Sequence, residues 1–329
     1  VLALLAATAG CAASGSPGGH VSSTVTIALV PGINDAPIYL AEHDGLFAKA
    51  GLANVVIKSY STEGQVISAL QGSHADIAAL DYGDIFYQQA NQRDLSILAD
   101  GYDAGTGVLE VLTLPNSKKI TSPTKLGDPG VTVGFPNYDV LPKMLGTGHP
   151  ASLEAAAVTE VLTSYLGNAA LSVNWAAMSE QAEVNALLSG RVQAIVVGEP
   201  YIYEAESHKG AVELMDGASG PTANLPLSGY VSTSAWAKDN PAAAADFQSA
   251  LAKAQSDAAL FGPVQQLLPH VVSDVTTEDA DLATVGTYPT TTSLVDLDRD
   301  ELLMSNENMI TVGASGTWSG KIGPMIVHN

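Results

Sequence analysis

The sequence predicts an α/β protein of two lobes, and three observations lead there. Between residues 24 and 84 the signals read strand, helix, strand, helix, strand, and strands joined by helical crossovers in one sheet run parallel. The chain is 329 residues long, more than one hydrophobic core comfortably serves, so two lobes of roughly 100–200 residues are expected. The stretch EVNALLSGRVQAIVVGE, residues 183–199, also aligns without gaps on QVISALQGSHADIAALD, residues 65–81. Each copy reads as a helix, a glycine stop and a buried strand delivering an acid, as two similar halves would require.

Taken in order, residues 24–30 (TVTIALV) form a short β-branched strand ended by Pro31-Gly32. Asp35-Ala36-Pro37 then starts a helix, since Asp can cap free backbone N–H groups and Pro fits the first turn without losing a needed donor. Gly45 ends that helix, and residues 46–50 add a turn or two closed by Gly51. Residues 55–60 (VVIKSY) alternate with the period of a strand. Ser61-Thr62-Glu63 opens the next helix, which puts Val66, Ala69 and Leu70 on one face and stops at Gly72. The apolar run 77–80 has the length and flanks of a buried strand. Loops at 31–37, 61–65 and 81–84 therefore lie at strand carboxyl ends, the side of an open α/β sheet on which ligands bind.

Lobe I is expected over residues 24–115, with further strands at 95–99 and 108–114, the second a crossover toward the other lobe. Lobe II, 116–225, repeats the logic with a strand at 131–135, a loop Pro136-Asn137-Tyr138-Asp139 entering a helix, and an amphipathic helix at 153–166 closed by Gly167. A strand at 171–175 and the echoed segment 183–199 follow. Residues 226–329 return to lobe I with a strand-like start, a helix opening at Asp239-Asn240-Pro241, an Ala-rich helix over 241–260 and another over 298–310.

Hydrophobic residues make up 46% of the chain and charged ones 14%, a globular composition. Thirty-four acidic residues against thirteen basic ones give a net charge of −21, which repels phosphate backbones and anionic headgroups and argues against nucleic acid as a partner. The single cysteine, Cys11, follows VLALLAATAG. That run is too short to span a bilayer and reads as the end of a signal peptide, 1–10. Thr8-Ala9-Gly10-Cys11 looks like a bacterial lipobox, so Cys11 is the expected lipid attachment point, the only hold on the membrane. Residues 11–23 then form a Gly/Ser/Pro tether.

The run DAPIYLAEHDGLFAKAGL, followed about twenty residues later by ALQGSHADIAALD, closely resembles the nitrate/sulfonate/taurine and thiamine-pyrimidine group of substrate-binding proteins of ABC importers. Gly45-Leu46-Phe47, Ala50-Gly51-Leu52, and Ala69-Leu70-Gln71-Gly72 with Asp76 carry the likeness. The resemblance implies a type II periplasmic-binding-protein fold: two α/β lobes joined by a two-strand hinge, with the ligand cleft between them. It further implies an extracytoplasmic monomer that closes on a small molecule and presents it to an ABC permease, with neither catalysis nor a cofactor.

No G-x-S-x-G elbow accompanies the serines, and the seven histidines show neither H-E-x-x-H nor a helical pair, so neither a hydrolase nor a zinc site is expected. The S-x-x-K match at 122–125 lies in the crossover without a following helix. The run 101–107 lacks the Lys-Ser/Thr ending of a phosphate loop. Asp296, Asp298, Asp300 and Glu307 have EF-hand-like spacing, but Glu301 stands where the loop needs Gly, so they read as a helix start.

The candidate ligand residues are those at the strand carboxyl ends. Lobe I supplies Asn34, Asp35, Tyr39, Thr62, Glu63, Tyr82 and Asp84; lobe II supplies Asn137, Tyr138, Asp139, Trp175, Glu199 and Tyr201. Rings stack on flat π-systems, and carboxylates accept from N–H groups or pair with cations. With no Lys or Arg in the set, the expected ligand is a nitrogen heterocycle of the aminopyrimidine kind or another amino-bearing small molecule. Sulfonate, taurine or nitrate remain the alternative, since helix N-termini hold anions without Arg. From other classes, a pyrimidine-synthase-like enzyme would need a Cys-rich iron motif that this chain lacks, and a sensing domain would need a signalling segment.

Overall fold

The computed structural model describes residues 24–91, 93–136, 152–167, 173–273, 275–310 and 320–328. The chain opens with β1 (Val25–Leu29), α1 (Ala36–His43), α2 (Leu46–Ala50), β2 (Val55–Ser59), α3 (Glu63–Gln71), β3 (Ile77–Asp81), α4 (Tyr82–Ala90) and β4 (Leu95–Ala104). The middle holds β5 (Leu109–Thr113), β6 (Val133–Pro136), α5 (Leu153–Leu166), β7 (Trp175–Met178), α6 (Glu180–Leu188), β8 (Ala194–Gly198), α7 (Tyr201–Tyr203) and β9 (Val212–Asp216). The last part is β10 (Leu225–Thr233), α8 (Ser234–Asp239), α9 (Pro241–Ala258), α10 (Gly262–Val271), α11 (Thr277–Leu282) and α12 (Leu294–Asn306).

Two five-stranded mixed sheets result, ordered β2-β1-β3-β10-β4 and β7-β6-β8-β5-β9. β1 lies parallel to β2 and β3, as the helical crossovers require. In the second sheet β6 lies parallel to β7 and β8. Each sheet is completed by antiparallel strands: β10 against β3 and β4, β5 against β8 and β9. The architecture is the α/β, two-sheet type II binding-protein fold that the sequence led us to expect.

Several boundaries differ from the sequence reading for local reasons. β4 continues to Ala104 because β10 gives it a partner along its length. β5 pairs inside the second sheet, so the chain passes between the sheets at residues 105–108, ahead of the limit of 115 set from the sequence, and returns through 217–224. The strand expected over 171–175 runs instead from Trp175 to Met178, where it finds β6. Ser234 begins a helix rather than extending β10, because the Thr233 hydroxyl accepts the Trp236 N–H and caps it. The acids from Asp296 to Asp300 lie within α12, capped by Ser293.

The first sheet is covered on one side by α9, whose apolar face sends Phe247 onto Phe47 (ring centroids 6.2 Å) and against the edge of Tyr230 (5.8 Å). α9 also donates from Gln255 to the Asp100 carbonyl at 2.7 Å and from Gln248 to the Leu98 carbonyl at 2.6 Å. α12 packs on α4, β10 and α5, reaching both halves, and its Arg299 donates to the Ala223 and Asn224 carbonyls of the return passage.

Beside β4, Thr287 exchanges two backbone hydrogen bonds with Asp103, and Gly286 N–H donates to the Tyr102 hydroxyl. A Cβ at Gly286 would stand 2.3 Å from the Asp103 carbonyl oxygen, which the ladder fixes in place. Gly286→Ala is therefore expected to lose about 1–3 kcal/mol in urea unfolding. Gly262→Ala, with open space at its Cβ, should hold stability level or raise it by up to ~1 kcal/mol.

Candidate ligand-binding cleft

The carboxyl ends of β1 and β3 face the end of β8 and the starts of α5 and α6 across a cleft of about 290 Å³. Six carboxylates line it: Asp35, Glu63 and Asp81 on the first wall, Glu154, Glu180 and Glu199 on the second. Among the described residues no Lys, Arg or His lines it.

The two walls are built alike. Glu63, the first residue of α3, accepts the Asp81 N–H at the end of β3 (3.0 Å). Glu180, the first residue of α6, accepts the Gly198 N–H at the end of β8 (2.8 Å). An acid in the first turn of a helix is favoured by the helix dipole, and here it also satisfies the backbone donor that the ending strand leaves over. Glu154, in the first turn of α5, is held by the Ser152 hydroxyl, which donates to it at 2.9 Å.

Of the residues singled out from sequence, Asn34, Asp35, Glu63, Glu199 and Tyr201 line the cleft. Asn137, Tyr138 and Asp139 lie outside the described residues, as does Cys11. The other five do not line the cleft. Thr62 caps α3, accepting from the Gln65 N–H. Tyr39 packs against the core with its hydroxyl 3.4 Å from Ser59. Trp175 is buried edge-on against Phe135 at 5.9 Å. β3 runs straight into α4 without the expected loop, so Tyr82 turns inward, stacks on Phe86 and donates to Asp100 at 3.0 Å. Asp84, on the same turn, is buried behind Glu63.

Sequence reasoning passed over Asp81, Tyr102, Glu154 and Glu180. Asp81 and Glu180 carried a signal, since both flank the echoed segment, as last residue of one copy and three positions before the other. Tyr102 sits in the glycine-rich run 101–107, and only the pairing of β4 with β10 turns it to the cleft floor. Its ring lies 5.2 Å from that of Tyr288, whose hydroxyl donates to the Ile33 carbonyl.

Burial dominates the titration of these acids. It pushes Asp35 up to about 8, with the neighbouring Tyr230 hydroxyl opposing in part. Glu63 is held well above the usual carboxylate range by burial and by Asp84, against the pull of the Asp81 N–H. Asp81 is raised by burial and then by the charges of Glu63, Glu154, Glu180 and Asp35, contributed by both walls. Burial also raises Glu154 and Glu199; Glu199 is partly relieved by N–H groups of Thr284 (2.9 Å) and Tyr203 (3.1 Å). Thr284 follows α11, so Glu199 ties the second wall to the last part of the chain. Clustered, strongly perturbed carboxyls in a cleft mark a functional site.

The cleft lies between two α/β halves, the arrangement of a type II binding-protein fold. The chain belongs to the NMT1-like family, whose family model matches residues 18–259. Among solved structures it is similar to the periplasmic aliphatic sulphonate binding protein SsuA from Escherichia coli, with a TM-score of 0.67 at 17% identity over 87% of this chain and 88% of that one. SsuA from Xanthomonas axonopodis pv. citri, bound to MOPS, gives 0.67 at 14% identity over 93% and 98%. The periplasmic nitrate-binding protein NrtA from Synechocystis PCC 6803 gives 0.63 at 16% over 87% and 80%. No curated protein matches by sequence.

A carboxyl whose pKa rises on folding stabilises the fold most when protonated. For Asp35 that contribution is complete below its unfolded value near 3.8 and is lost as pH rises through about 8. The ligand-free protein should therefore melt at a higher temperature at pH 5 than at pH 8.5 in calorimetric scans. Asp35→Asn should flatten that dependence.

Proposed function

We propose that this chain is an extracytoplasmic solute-binding protein that captures an amino-bearing small molecule, of the aminopyrimidine kind, and delivers it to an ABC-type importer. Membership of the NMT1-like family and the fold shared with periplasmic binding proteins support the role. In this reading the chain works as a monomer, with residues 24–115 and 226–329 in one lobe and 116–225 in the other. The lobes close on the solute by hinge motion, and Cys11 supplies a lipid tether. Among the described residues no helix is long and apolar enough to cross a membrane.

The ligand class rests on one observation: among the described residues, six carboxyl groups and no basic side chain line the cleft. Such a lining accepts N–H donors and balances positive charge, and Tyr102 and Tyr201 add aromatic rings to it. The second reading is an anion, which the structures named for sulfonate and nitrate suggest and which helix N-termini can hold. Here the first turns of α3, α5 and α6 already carry acids, Glu63, Glu154 and Glu180, beside the helix ends that an anion would use.

Titration calorimetry at pH 7.5 with an aminopyrimidine, taurine and nitrate tests the reading. Micromolar or tighter binding of the aminopyrimidine, with no heat from the two anions, is the expected outcome. Tight binding of taurine alone would overturn it.

A further inference from the structure

The buried face of α12 is apolar except at one position. With Leu297, Leu303 and Met304 it carries Asp300, which is 0% exposed, and neither oxygen of that carboxyl has a hydrogen-bond partner in the protein. The groups acting on it are mostly of its own sign. β4 brings Asp100 and Asp103, and α12 itself brings Asp296. α4 brings Tyr82, whose hydroxyl is already given to Asp100, while its Asp84 lies with Glu63 behind the cleft wall. β10 carries no charged residue, and its Tyr230 lies against Phe247 of α9. The acids of α5 are Glu154, held by Ser152, and Glu160. Lys321 and His328, on the segment that passes α12 at Gly323, are exposed. The cation acting on Asp300 is Arg299, and its guanidinium is engaged elsewhere, with the Ala223 and Asn224 carbonyls at 3.0 and 2.8 Å and with Asp296 at 3.6 Å.

A buried carboxyl without a partner is far less costly as the neutral acid than as the anion. Burial holds Asp300 well above the usual carboxylate range; Arg299 opposes the rise, and the charges of Asp100, Asp103 and Asp296 add to it. Among the described residues no three His, Cys, Asp or Glu side chains could hold a metal ion, so the neutralising group is the proton. The helix that carries it has a particular place in the fold. α12 packs on α4 and β10 in one half and on α5 in the other. Asp103 stands just before the first passage between the halves, 105–108, and Arg299 holds the return passage, 217–224.

We propose that α12 is a pH-released strap across the two passages: with Asp300 neutral it braces both halves, and loss of that proton lifts the helix and frees the halves to move apart. The device concerns the passages and not the cleft, so it stands whichever solute the protein takes. Opening brings Asp300 into water, where it ionises at an ordinary carboxylate value. Between that value and the raised one, opening releases a proton and becomes more favourable by up to about ten-fold for each pH unit.

Hydrogen exchange of the full chain, followed by mass spectrometry at pH 5.5, 7 and 8.5 with labelling times scaled to the intrinsic rate at each pH, tests this. Protection of α12 and of residues 217–224 should fall as pH rises, while β1, β3, β6 and β8 keep theirs. Small-angle scattering at the same pH values should show the radius of gyration growing. Asp300→Asn keeps the shape and carries no titrating proton, so it should level both profiles, and Asp300→Ala should do the same. Exchange of α12 that is independent of pH in the unaltered protein would overturn the strap, as would an unchanged pH profile in a folded Asp300 variant. Loss of protection in all elements together would also overturn it, since that is global unfolding. Should both variants fail to fold, the element-by-element pattern in the unaltered protein decides between these outcomes.

Discussion

A carboxylate removed from water is tolerated only when it is neutralised, hydrogen-bonded or paired, and this protein places six of them around one gap. The protein meets the cost in part locally. Backbone N–H groups at strand ends reach Glu63 and Glu180, those of Tyr203 and Thr284 reach Glu199, and a serine hydroxyl reaches Glu154. Behind the first wall Glu63 also shares a side-chain hydrogen bond with the buried Asp84.

Most of the fold was legible in the chain because it depends on local signals. Glycines at 45, 51 and 72 ended helices where expected, and β1, β2 and β3 fell within a residue or so of their apolar runs. The echo between 65–81 and 183–199 became α3-β3 and α6-β8, each on the corresponding sheet. Elements set by distant partners were harder to read. β9 is mostly exposed or half-buried with no alternation, and its place follows from β5 beside it.

The site was less legible than the fold, and for a geometric reason. Sequence shows which residues lie near a strand's end, but the entry angle of the next helix decides which side chain meets the cleft. At Asp81 the strand passes into α4 with no loop, so Asp81 lines the cleft and Tyr82 takes its hydroxyl to Asp100 beneath the sheet. Tyr102 faces the opposite difficulty: β10, more than a hundred residues later in the chain, orients it.

Glu63 and Glu180 each do two separable jobs, one oxygen tying a helix start to a strand end and the side chain as a whole setting the electrical character of a wall. Any short hydrogen-bond acceptor could keep the first job while abandoning the second. A scaffold wired this way can change the electrical character of its cleft through substitutions at a pair of codons, with no strand moved and no loop rebuilt.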